Sequence, residues 1–98
     1  MPRNWKSIES TQESLQKMIA RRKRTANFMS AEMGDDEVYD SQKEIVIKIS
    51  EAATSTLNRL AKSINAMYKA TQAQDIEIRE TLLKKKSAIL DELTKREK

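Results

Sequence analysis

The chain contains 98 residues, 38% hydrophobic and 35% charged, with a formal net charge of +4, and this length allows one domain at most. A fold of many short strands needs a turn about every ten residues, yet the chain has one glycine and one proline. Helix-forming residues such as Ala, Lys, Glu, Leu and Arg dominate instead, so the composition predicts an all-α protein.

The same composition excludes several kinds of chemistry. The chain has no cysteine and no histidine, which removes disulfides, zinc ribbons and the commonest general base and metal ligand. The sequence shows no glycine-rich phosphate loop, no apolar run typical of a signal peptide, and no apolar stretch near the roughly 20 residues that span a bilayer. We therefore expect a non-enzymatic intracellular protein, cytoplasmic or nuclear, without metal or cofactor.

A first helix is predicted over residues 7–33, after an N-terminal arm over residues 1–6. Two overlapping signals mark its start: Ser7 can cap the helix directly, and Ser10 with Glu13 has the spacing of a capping box. Gly34 is suited to the left-handed conformation that ends many helices, so we expect a turn over residues 34–40. Apolar or small residues recur three or four positions apart, as on one face of a helix, with Arg22 as the one charge among them: Ile8, Thr11, Leu15, Met18, Ile19, Ala26, Met29 and Met33.

A long second helix is predicted over residues 41–96, because no glycine or proline interrupts the chain from Ser41 onward. A helix of about 55 residues would be roughly 80 Å long. Residues 44–49, EIVIKI, alternate as a strand does. We assign them to the helix because the sequence shows no partner strand.

Folding back at Gly34 would form a helical hairpin, whose core is predicted to contain Leu15, Ile19, Leu57 and Leu60. The first helix is too short to cover the second half of the long helix. Each large apolar side chain left in water forgoes roughly 1.5–3 kcal/mol, so we expect a homo-oligomer or a helical hetero-partner. The resulting coiled coil or helical bundle is predicted to have an interface formed by Ile64, Met67, Ile78, Leu82, Ile89 and Leu93.

Two groups of cations are candidate phosphate-binding sites, because clustered Lys and Arg attract nucleic acids. A solvated helix face is the simpler interpretation of both, and the first group could also be a nuclear import signal or a kinase site at Thr25. The acids of residues 35–40 lack the ligand spacing of a calcium loop, so no metal site is expected. The two groups are Arg21, Arg22, Lys23 and Arg24, and Lys84, Lys85 and Lys86.

These patterns predict a helical oligomerisation or protein–protein assembly module that acts as a structural or scaffold component. The alternative is a small basic oligomeric protein that binds nucleic acid, as a DNA-binding or regulatory protein. A membrane-surface role for the first helix is a third and weaker hypothesis, because its apolar face is small and poor in aromatic residues.

Overall fold

The computed structural model describes the backbone of residues 5–97 and the side chains of residues 14–97. The chain is mostly helical, which confirms the predicted class in broad terms, but it also contains a two-stranded sheet. In chain order the elements are α1 (Trp5–Ser30), β1 (Glu37–Asp40), β2 (Ile45–Lys48), a 3-10 turn (Ile49–Glu51), α2 (Thr54–Ala70) and α3 (Ile76–Arg96).

The assignment of residues 44–49 to a helix was wrong, because most of this segment is strand β2. It pairs antiparallel with β1, and Val38 lies opposite Ile47. The partner strand has the sequence EVYD and is only four residues long. Two of its four residues are acids, which are depleted in strands, and this explains why the sequence did not reveal it.

The predicted long second helix is also wrong, because the chain turns back at residues 71–75 and forms two helices. Thr71 leaves the helical region with φ −87° and ψ 135° and donates its backbone N–H to the carbonyl of Tyr68 at 3.1 Å. The turn has the polar sequence TQAQD and contains no glycine or proline. Its formation lets the apolar faces of α2 and α3 cover each other within one chain.

A single core therefore lies where α2, α3, β1 and the C-terminal end of α1 meet. Its α2 residues follow the three- and four-residue spacing of one helix face, while Leu82 and Ile89 are one heptad apart on α3. The buried hydrophobic residues are Phe28, Val38, Ile49, Leu57, Leu60, Ile64, Met67, Leu82 and Ile89.

The predicted hairpin core needs correction. Leu15 and Ile19 are 50% and 63% exposed, whereas Leu57 and Leu60 are buried. The first pair belongs to a part of α1 that does not lie along α2. The second pair lies in the core between α2 and α3.

The predicted oligomer interface also needs correction, because its residues belong to the core of one chain. Four of the six are fully or almost fully buried, and the other two are half-buried against the same cluster. The turn at residues 71–75 supplies the cover that a second chain was expected to supply. The six residues are Ile64, Met67, Leu82 and Ile89, followed by Ile78 and Leu93.

The ends of the first helix differ from the prediction as well. The chain is helical from Trp5, inside the predicted arm over residues 1–6, of which residues 1–4 lie outside the described range. α1 ends at Ser30, and Gly34 does not have a positive φ. A Cβ at Gly34 would lie 2.8 Å from Oε1 of Glu37, but this atom is the far end of a flexible side chain that can move aside, so neither φ nor close approach requires glycine here.

Candidate assembly surface

The first part of α1 stands clear of the rest of the described chain. Its side chains from residue 14 to residue 24 are all exposed. They include an apolar row, hereafter the α1 row, formed by Leu15, Met18 and Ile19 at 50%, 44% and 63% exposure. The helix is anchored at its other end, where buried Phe28 lies edge-on to Tyr39 with ring centroids 6.4 Å apart.

A groove of about 730 Å³ separates α1 from the connection between α2 and α3. One wall is the part of α1 between Met18 and Met29, and the other includes Ala70, Asp75 and Ile78. Because Leu15 is one turn before Met18 on the same helix face, the α1 row leads directly into this groove.

The basic block Arg21–Arg24 is divided between different surfaces. Arg21 and Arg22 line the groove, whereas Arg24 lies beside a small hollow that Arg59 also lines. Lys23 is exposed and lines neither. Within residues 14–97, no carboxylate lies within 4.0 Å of a charged nitrogen of this block.

The second predicted phosphate site is not a single patch. Lys85 is only 5% exposed and donates from Nζ to the carbonyl of Gly34 at 2.6 Å. Burial lowers its pKa, and the neighbouring charge of Lys84 adds to this shift. Lys86 is half-buried and donates to Asn65 at 3.3 Å. Exposed Lys84 lies 3.9 Å from the carboxylate of Asp35. These lysines therefore do not present three cations to one ligand.

Sequence reasoning missed the buried ion pair between Asp40 and Arg59. The fully buried Asp40 carboxylate accepts hydrogen bonds from Nη1 of Arg59 at 3.0 Å and from Nη2 at 2.7 Å. It also accepts from the backbone N–H groups of Gln42 and Lys43. The guanidinium beside it holds the pKa of Asp40 below its usual value. No sequence signal connects two residues 19 positions apart, so the pair could not have been found without the fold.

A second exposed apolar row lies on α3 and is formed by Ile76, Leu83 and Leu90 at heptad spacing. Unlike the α1 row, it belongs to a helix whose other face is buried in the core. None of its three residues lines the groove beside α1, whereas Leu90 lines a separate, smaller cavity of about 400 Å³. This row is therefore a useful control surface for the α1 row.

Other kinds of site find no support among residues 5–97. Among the described side chains of residues 14–97, no group of three or more Asp and Glu residues could hold a metal ion. None of the helices within residues 5–97 is both long and apolar enough to cross a membrane. No protein family, curated protein or solved structure matches the chain.

Proposed function

We propose that the protein is a non-enzymatic helical assembly module, in which α1 joins the folded body of β1, β2, α2 and α3 to another helix. The observation that supports this function is the exposed α1 row. Burying one such side chain fully is worth roughly 1.5–3 kcal/mol, so three adjacent ones favour association. The core of the body is covered within one chain, with Phe28 of α1 completing it.

The spacing along α1 agrees with a helical partner. Leu15, Met18, Arg22, Thr25 and Met29 follow one another at alternating steps of three and four residues. This is the heptad spacing with which two helices interdigitate side chains along a seam. Arg22 is a charged residue on that seam. Such a residue lowers the stability of the pairing but selects its register or its partner.

Light scattering over a concentration series tests the proposed function. The wild-type chain should show at least twice the 11.3 kDa mass of one chain. Replacing Leu15 and Ile19 with serine should return the mass to that of one chain, with the helicity of the body retained. The matched control replaces Leu83 and Leu90, which are exposed on α3, and should leave the assembly intact. A wild-type chain that stays monomeric throughout would refute self-assembly.

One observation favours nucleic-acid binding as a second candidate function. The basic block places four consecutive cations on α1, and within residues 14–97 none of them has a carboxylate within 4.0 Å. Phosphates would supply the missing negative charge. The affinity for DNA or RNA should then fall steeply with salt, with a slope of about 0.9 per neutralised phosphate. Replacing Arg21, Lys23 and Arg24 with glutamine should flatten that slope. An absence of binding at low salt would eliminate this candidate.

A further inference from the structure

We propose that the helix lying against α1 is α1 of a second copy of this chain. The two copies run antiparallel, and the first half of each α1 lies in the groove of the other copy. This inference rests on the proposed assembly function. It adds the identity of the partner helix, its direction and the groove in which it binds.

The position of the groove gives the first argument. It accompanies only the second half of α1, from Met18 to Met29. The described part of the first half, residues 14–17, is exposed and does not line this groove. An antiparallel pair that sets Leu15 beside Met18 of the other copy brings each first half alongside the other second half. Both grooves are then filled by the same contact, as an isologous two-fold interface requires.

The charge distribution along α1 gives the second argument. The sequence of residues 17–30 contains five cations and no acid, whereas residues 5–16 contain Glu9, Glu13 and a single cation, Lys6. A parallel pair would place the basic blocks of the two copies side by side, and this contact between like charges is destabilising. The antiparallel pair instead brings Glu9 and Glu13 of one copy to the level of the basic block of the other.

The lining of the groove also fits this occupant. Its lining combines apolar residues such as Met18, Met29 and Ile78 with two arginines, Arg21 and Arg22, and one acid, Asp75. The sequence of the first half offers Ile8 and Thr11 at seam spacing, flanked by the two acids. Met side chains adapt to the shape of an apolar partner, while the arginines can pair with carboxylates. A second copy therefore supplies both the apolar residues and the charges that this groove matches.

Distances between spin labels test the direction. The chain has no cysteine, so Gln16→Cys or Ser30→Cys gives one label site in each copy. In the antiparallel pair the two Gln16 labels lie at nearly the same level. The two Ser30 labels lie about 40 Å apart along the helix axes at 1.5 Å per residue. A parallel pair would give short distances at both sites.

A bulky substitution on the groove wall opposite α1 tests whether the partner helix binds in the groove. Ala70→Trp fills the groove from α2 without altering α1 and should weaken dimerisation at least tenfold. Ala53→Trp is the matched control, because Ala53 is an exposed alanine at the other end of α2 and does not line the groove. Circular dichroism should show that both variants keep the wild-type helicity.

The outcomes separate this inference from the function on which it rests. A dimer with a short Gln16 distance, a long Ser30 distance and sensitivity to Ala70→Trp supports the inference. A dimer with a short Ser30 distance, or one that is indifferent to Ala70→Trp, overturns the inference and leaves the assembly function standing. A chain that remains monomeric overturns this inference together with self-assembly, and only pairing with a different helical chain would then remain of the proposed function.

Discussion

Replacing Asp40 with asparagine tests whether the buried ion pair holds the β-hairpin on α2. The substitution keeps the shape and one carbonyl oxygen, so the backbone N–H groups of Gln42 and Lys43 can retain their acceptor. It removes the negative charge and one of the two bonds from Arg59. Hydrogen bonds to charged groups contribute about 1.5–3 kcal/mol each. The Arg59 side chain is 34% exposed, so water screens part of that interaction, and we expect a loss of about 2 kcal/mol.

Urea denaturation followed by circular dichroism measures this loss. The control is Asp91→Asn, which makes the same change of charge at an exposed position that has no ion pair among the described residues. It should change the free energy of unfolding by less than about 0.5 kcal/mol, as is usual for surface substitutions. If Asp40→Asn costs no more than this control, the ion pair does not stabilise the fold.

The pH dependence of the same variant gives an independent check. The pKa of Asp40 is lowered in the folded chain from its ordinary value of 3.8, chiefly by the hydrogen bonds from Arg59. The unfolded chain therefore binds the proton more readily, and the carboxylate stabilises the fold above pH 3.8. That contribution is lost as the pH falls below 3.8 and through the lowered value. The stability advantage of the wild type over Asp40→Asn should shrink over that range.

Three further substitutions test the core and its connection to α1. Phe28→Ala should cost roughly 3–5 kcal/mol in urea denaturation, because the ring is fully buried and its removal leaves a cavity. Leu82→Ala should cost roughly 2–5 kcal/mol. The same substitution at its neighbour Leu83, which is 46% exposed, should cost clearly less. Equal losses of stability would contradict the packing of α3. Burial lowers the pKa of Lys85, so the unfolded chain binds more protons between that value and 10.5. Wild-type stability should therefore rise relative to Lys85→Met as the pH approaches 10.5, and parallel pH profiles would contradict this burial.

The helical class could be predicted from composition, and so could the face of α2 that is buried. Leu57, Leu60 and Ile64 repeat at helical spacing, and all three lie in the core. What covers them could not be predicted. The pattern of α3 continues that of α2 with no glycine or proline between them, and only the polar run TQAQD separates the two helices. Periodicity describes a face and does not identify the element that packs against it.

The strand pair could not be predicted, for a different reason. EIVIKI had the alternation of a strand, but its partner EVYD had no recognisable pattern. Of the three polar residues in this partner strand, two are held in place by contacts with other elements of the fold. Asp40 is satisfied by Arg59 from another element, and Tyr39 packs against Phe28. The intrinsic preference of a short strand is weak, and its neighbours decide whether it forms.

The basic block and the apolar face of the first helix were both visible in the sequence, but that face was assigned to a hairpin core and not to an assembly surface. The groove was not visible, since it depends on the turn at residues 71–75. Lys85 was assigned to a phosphate site although it holds the Gly34 carbonyl. Three adjacent lysines on a helix point about 100° apart, as 3.6 residues per turn requires. A run of three therefore cannot form one patch without help from another element.

The division of the chain into a folded body and an exposed helix has a consequence for how stability and assembly respond to substitution. Phe28 of α1 is buried in the core, whereas Leu15 and Ile19 lie about three and a half and two and a half turns earlier on α1, at 3.6 residues per turn, and are exposed. A change at Phe28 should therefore loosen the attachment of α1 and displace one wall of the groove. It would weaken assembly only through the fold. A change at Leu15 or Ile19 should weaken assembly directly, because it removes apolar contact area without opening a cavity. The two kinds of residue thus separate the stability of the body from the strength of the proposed pairing.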